Sequence, residues 1–90
     1  MKVSDKKKEK IIEQILAVLY SNNPKPLFTS QLAEELARDG EFTKKLLLSL
    51  KKKNIVIEVK KNPKGVPYLR RSRWILNKEA YKQYKQYQFR

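Results

Sequence analysis

Apolar residues recur at three- and four-residue steps in several segments of this chain and at two-residue steps near its middle, the spacings of helix faces and of a strand. In residues 11–20, Ile12, Leu16 and Leu19 form one stripe, and Ile11, Ile15 and Val18 form a second beside it. Together they span nearly half the circumference, wider than a surface helix needs, so this helix is expected to pack on two sides. Ser21, two asparagines, Pro24 and Pro26 end it, because proline denies the chain further helical hydrogen bonding. Leu27-Phe28 suits either a short strand or a gap filler. A second helix starting at Thr29 or Ser30 places Leu32, Ala33 and Leu36 on its core side, with Glu34 and Glu35 in water. Beyond Asp39-Gly40, Phe42, Leu46, Leu47 and Leu50 mark one side of a third helix whose other side carries Lys44, Lys45, Leu48, Lys51 and Lys52. Ile55, Ile57 and Val59 then alternate with Val56, Glu58 and Lys60, as a half-buried strand should. A turn-rich connection around Pro63, Gly65 and Pro67 leads to a return strand ending in Trp74-Ile75-Leu76, the first and last of which are expected in the core. Asn77 is a good helix cap, and Ala80, Tyr84 and Tyr87, with Tyr81 beside them, line one side of a last helix.

The pattern predicts a mainly α domain with a small β-hairpin: helices over about 5–21, 29–38, 40–53 and 78–87, and strands over about 55–60 and 68–76. It reads as one domain over residues 1–90, with frayed ends at 1–5 and 88–90. Leu32-Ala33, Leu36, Leu47, Leu50 and Ile55, the apolar strand after them, the basic loop, the Trp74-Ile75-Leu76 strand and the last helix resemble winged helix-turn-helix proteins of the MarR/ArsR/PadR kind. Arg38, where an apolar turn residue is common, and Asn54, where glycine commonly ends the third helix, depart from that pattern. Asn tolerates the left-handed conformation better than most residues. The resemblance implies that the helix over 40–53 enters a DNA major groove and that the hairpin acts as a wing.

Charge sharpens this picture. Up to Thr43 the chain carries seven Lys/Arg against seven acids; from Lys44 onward it carries fifteen against two, so the whole net charge of +13 lies in the second part. Scattered surface lysines explain solubility, but not a boundary that coincides with the start of the third helix. Such a lopsided field attracts a polyanion. The chain has no Cys and no His, which excludes disulfides, thiol and histidine chemistry and the usual zinc sites. No cofactor, metal site or small-molecule effector is evident. No run approaches the roughly eighteen apolar residues of a membrane span, and the lysine-rich N-terminus lacks a signal-peptide core, so cytoplasmic residence is the default expectation. Glu34, Glu35, Asp39 and Glu41 cluster, but no nucleophile or metal constellation accompanies them, so no enzyme is expected.

The candidate DNA-contacting residues follow. On the third helix they are Thr43, Lys44, Lys45 and Leu48 toward base edges and Lys51 and Lys52 toward the backbone; Leu48 suits a core or dimer contact equally well. Thr29, Ser30 and Gln31 at the start of the second helix form a candidate phosphate clamp, beside their ordinary role as a cap. Along the wing, Lys60, Lys61, Lys64, Arg70, Arg71 and Arg73 can lie on phosphates or enter a narrow minor groove, or keep an exposed edge soluble. Ile11, Ile15, Val18, Ala80, Tyr81, Tyr84 and Tyr87 are the expected homodimer interface, the tyrosines packing rather than stacking on bases. The leading expectation is a double-stranded DNA-binding transcriptional regulator. An RNA- or ribosome-binding winged helix and a non-specific architectural or replication-associated protein are the alternatives. The third helix lacks Arg, Asn and Gln in its first two turns, the side chains that make bidentate base contacts.

Overall fold

The computed structural model describes residues 5–67 and 71–88, the side chains of residues 87 and 88 excepted. Four helices, α1 (Asp5–Asn22), α2 (Thr29–Leu36), α3 (Gly40–Lys52) and α4 (Lys78–Gln88), pack with a three-stranded antiparallel sheet. Its strands are β1 (Leu27–Phe28), β2 (Val56–Val59) and β3 (Arg73–Leu76), in the order β1-β3-β2. Leu27-Phe28 is thus a strand, edge-paired so that Leu27 faces Trp74 and Phe28 faces Arg73. Among the described residues, no helix is long and apolar enough to cross a membrane.

The core gathers Ile11, Ile15 and Leu19 of α1, Leu32 of α2, Leu46, Leu47 and Leu50 of α3, and Val56, Trp74 and Leu76 of the sheet. A chain of this size can bury only about 60% of its surface, so few positions are spare. Trp74 is fully buried and spans the layers: its ring fills the core while its indole N–H donates to Thr29 Oγ1 at 2.8 Å. A buried indole needs such an acceptor.

Two turns set how the helices cross. After α2, Ala37 takes a left-handed conformation (φ 52°), and the amides of Ala37 and Arg38 return to the carbonyls of Glu34 and Ala33. The helix therefore stops at Leu36, two residues before the expected end, and Arg38 is exposed to solvent. Asp39 caps α3, its carboxylate accepting from the Phe42 amide. After α3, Asn54 is left-handed (φ 61°), and the amides of Asn54 and Ile55 close on Lys51 and Leu50. That is the Schellman arrangement in which glycine usually stands and Asn is tolerated.

The second turn corrects the strand reading. Ile55 belongs to the helix-ending turn rather than to the strand, so an alternation counted from it is one residue out of phase. Val56 and Glu58 face inward, opposite Leu76 and Trp74, whereas Ile57 faces outward opposite Ile75 and is 46% exposed. β2 ends at Val59, one residue before the expected end, and β3 begins at Arg73, residues 68–70 of the expected return strand lying outside the described residues; an isolated bridge joins Lys61 and Pro67. As expected, Asn77 caps α4, accepting from the Glu79 amide at 2.9 Å.

Candidate nucleic-acid interface

α3 has two unlike sides because its sequence does. Leu46, Leu47 and Leu50 are buried, while Lys44, Lys45, Leu48, Ser49, Lys51 and Lys52 are exposed, Leu48 at 42%. Leu48 is thus an apolar side chain set among the exposed lysines of this face. Thr43 does not share this face. It is 0% exposed, and its hydroxyl donates to the Asp39 carbonyl at 2.9 Å inside the first turn, so the base-contact role expected of it is ruled out by burial.

Lys51 is exposed but engaged, its ammonium lying 2.8 Å from Glu58 Oε1. Lys60 approaches the same oxygen at 3.8 Å, and the Ser72 hydroxyl donates to the other. The Glu58 side chain is only 7% exposed, so one inward carboxylate ties the end of α3 to both arms of the hairpin. Burial pushes that carboxyl up, but hydrogen bonds from Lys51 and Ser72 and the charges of Lys51 and Lys60 outweigh it and hold it below the ordinary glutamate range. A sequence signal for this arrangement exists: Glu58 is the sole acid between Lys44 and Lys78.

The expected clamp at the start of α2 is mostly occupied by the protein itself. Thr29 accepts from Trp74 and its amide donates to the Ser72 carbonyl; Gln31 Oε1 accepts from the Phe28 amide at 2.8 Å. Ser30 remains exposed. It borders an open cleft of about 440 Å³ with Phe28, Gly40, Lys44, Arg71 and Ser72, where the α2–α3 turn meets the hairpin. Nothing in the spacing of the sequence marks Phe28 as part of a site, yet the guanidiniums of Arg71 and Arg73 lie 5.5 and 5.0 Å from its ring centre. Of the other wing cations, Lys60, Lys61 and Lys64 are exposed, and Arg70 lies outside the described residues. The loop folds on Asn62, whose side chain accepts from the amides of Lys64 and Val66.

The expected dimer surface is only partly available. Ile11 and Ile15 are buried in the chain's own core, because α1 turns that stripe toward α2 and β3. Tyr81 stacks on Tyr20 at 5.1 Å, and Tyr84 lies tilted against the same ring at 4.9 Å, so the tyrosines of α4 pack on the Tyr20 end of α1 within one chain. Val18, Ala80 and Tyr84 stay half-buried, and the Tyr87 side chain lies outside the described residues. Leu16, Ile55, Leu76, Ala80 and Tyr84 line a shallow, largely apolar groove of about 250 Å³. Among the described residues, no group of acids forms a metal cluster.

A scan against protein-family models found no match, and no curated protein matches the sequence. Solved structures do. The S. aureus MepR–DNA complex superposes with a TM-score of 0.71 at 24% identity, covering 93% of this chain and 68% of that one. The fold is a winged helix-turn-helix. PcaV, a transcriptional regulator from Streptomyces coelicolor in complex with its natural ligand, gives 0.66 at 17% identity over 98% of this chain. A Ralstonia eutropha protein gives 0.66 at 17% identity over 87% of this chain and 94% of that one. The winged helix described here spans 55% of the PcaV chain. In the terms of this fold, α2, the Ala37 turn and α3 are the helix-turn-helix, and β2 and β3 are the arms of the wing.

Proposed function

We propose that this winged helix binds double-stranded DNA as a transcriptional regulator, placing α3 in the major groove and the wing along the backbone. The carrying observation is the exposed side of α3, where Lys44, Lys45, Leu48, Ser49 and Lys52 form a largely cationic face with the single acid Glu41 in the helix's first turn. Lys44 continues it into the cleft shared with Arg71. Cations reach phosphates there, and Leu48 can meet a thymine methyl group. With no Arg, Asn or Gln on that face, base discrimination is modest and leans on DNA shape. The same shortage supports a second reading, an architectural DNA-binding protein with little sequence preference.

The functional unit we propose is a homodimer built on the α1–α4 side, where the groove at Leu16 and Tyr84 leaves apolar surface uncovered. Its half-sites would lie about one helical turn apart, ~34–36 Å. Selection of bound duplexes from a random pool at moderate salt tests the regulator against the architectural reading. An enriched motif supports the first, and equal binding to selected and random DNA supports the second. Tighter binding to a hairpin RNA than to any duplex, at matched salt, would overturn both.

A further inference from the structure

Among the described residues, two arginines converge on the Phe28 ring. Register explains how. In the β1–β3 ladder Phe28 stands directly opposite Arg73, and Arg71 precedes Arg73 by two residues, the spacing that returns a side chain to the same side of an extended segment. Both guanidiniums then sit over one ring, Arg73 at 5.0 Å and Arg71 at 5.5 Å. Neither guanidinium has a carboxylate partner among the described residues, so the two like charges repel and an anion bound by both would relieve that repulsion. Arg73 Nε is moreover buried without a hydrogen-bond acceptor, an arrangement that normally costs free energy. Lys44 and Ser30 close the other side of the cleft that Phe28 and Arg71 line.

We infer that Phe28 is a positioning residue, a platform that holds the Arg71 and Arg73 forks for one phosphodiester group at the junction of β1, α3 and the wing. The ring's face attracts the cations and restricts their rotamers, so ordering them at the moment of binding costs less. The planar forks suit phosphate oxygens, which a lysine in the same place would meet only as a point charge. This rests on the proposed DNA-binding reading but names a specific subsite within it. It also explains why the two arginines sit near the base of the wing while lysines occupy its loop.

The test follows the arginine side-chain Nε–Hε signals by NMR while a duplex, and separately inorganic pyrophosphate, is added to wild type, F28A and F28Y. In parallel, duplex affinity is measured against salt for these variants and for F28A placed in an R71A/R73A background. In wild type and F28Y the Arg71 and Arg73 signals shift with both probes. In F28A those shifts disappear, duplex affinity falls about tenfold, and the salt slope shrinks by roughly 0.9 for each phosphate no longer neutralised. Partial loss of folded protein lowers the bound amplitude but leaves that slope unchanged. In the background lacking both arginines, F28A has no further effect. Unchanged signals with both probes, an F28A slope equal to wild type, or an F28A defect that persists without the arginines would overturn the inference. A Phe28-dependent response to pyrophosphate with no duplex binding would uphold the subsite while sinking the DNA-binding reading.

Discussion

Glu58 shows how one residue can organise a cationic surface. An inward carboxylate opposite Trp74 is unfavourable in isolation, and it is held there because Lys51, Lys60 and Ser72 converge on it. Its carboxyl lies below the ordinary glutamate range, so the stability it contributes is present above that range and is lost as pH falls through the lowered value. Glu58→Gln should therefore cost about 1–2 kcal/mol at neutral pH, given a partner ammonium that is half exposed. The difference from wild type should shrink below about pH 4, read by denaturant titration across pH. A pH-independent difference would mean that the residue's charge contributes nothing. Ala37 is the opposite case, a residue whose local preference opposes the fold. A left-handed Ala is strained by about 1–2 kcal/mol, and glycine removes that at an entropic cost of about 0.5–1 kcal/mol. Ala37→Gly should raise stability by about 0.5–1 kcal/mol, as measured by chemical unfolding.

Among the elements, α3 carries the clearest division of labour. Leu47 and Leu48 are neighbours in sequence but differ fully in burial, the first enclosed by the core and the second open to solvent. Leu47→Ala should destabilise by about 2–5 kcal/mol through cavity formation. Leu48→Ala should change stability by less than about 0.5 kcal/mol yet weaken binding to the preferred duplex. Equal effects of the two on unfolding would show that the outer face of α3 is covered in solution. Lys44→Ala and Lys45→Ala should both weaken binding and alter which duplexes are preferred, judged by competition between selected and random sequences. Lys51 is a poorer probe of DNA binding, because removing it also unpairs Glu58.

At the scale of the whole molecule, the separation of charge is the dominant feature. The segment up to Thr43 is neutral and supplies α1, β1, α2 and the first turn of α3, while the entire +13 falls on the residues from Lys44 onward, which supply the rest of α3, the wing and α4. Spread over a molecule of 38 × 35 × 22 Å, that excess acts over a distance comparable to the Debye length of about 8 Å at physiological salt. Log affinity for duplex DNA should accordingly fall linearly with log salt. If each subunit neutralises about five phosphates, the slope is roughly −4.5 per subunit. A slope near zero in an anisotropy titration would remove electrostatics from the account.

Local spacing and composition were enough to establish the order of the four helices and the hairpin, the buried stripes of α2 and α3, the capping roles of Asn77 and Asn54 and the placement of charge, because none of these depends on distant partners. Whether Leu27-Phe28 pairs as a strand does depend on one, and only the sheet decided it. The phase of β2 was not legible in the same way. A helix-ending turn at Asn54 and Ile55 shifts it by one residue, and no local signal marks where a turn ends and a ladder begins. Thr43 looks like a base contact from its position on the helix; only the packing of α3 against its neighbours buries it. Ile11 and Ile15 look like a dimer surface for the same reason, since a wide apolar arc does not say which neighbour covers it. The Glu58 cluster and the Phe28 platform were the least legible. Each joins residues from strands or helices far apart in the chain, and sequence spacing carries no information about pairings that only the folded sheet creates.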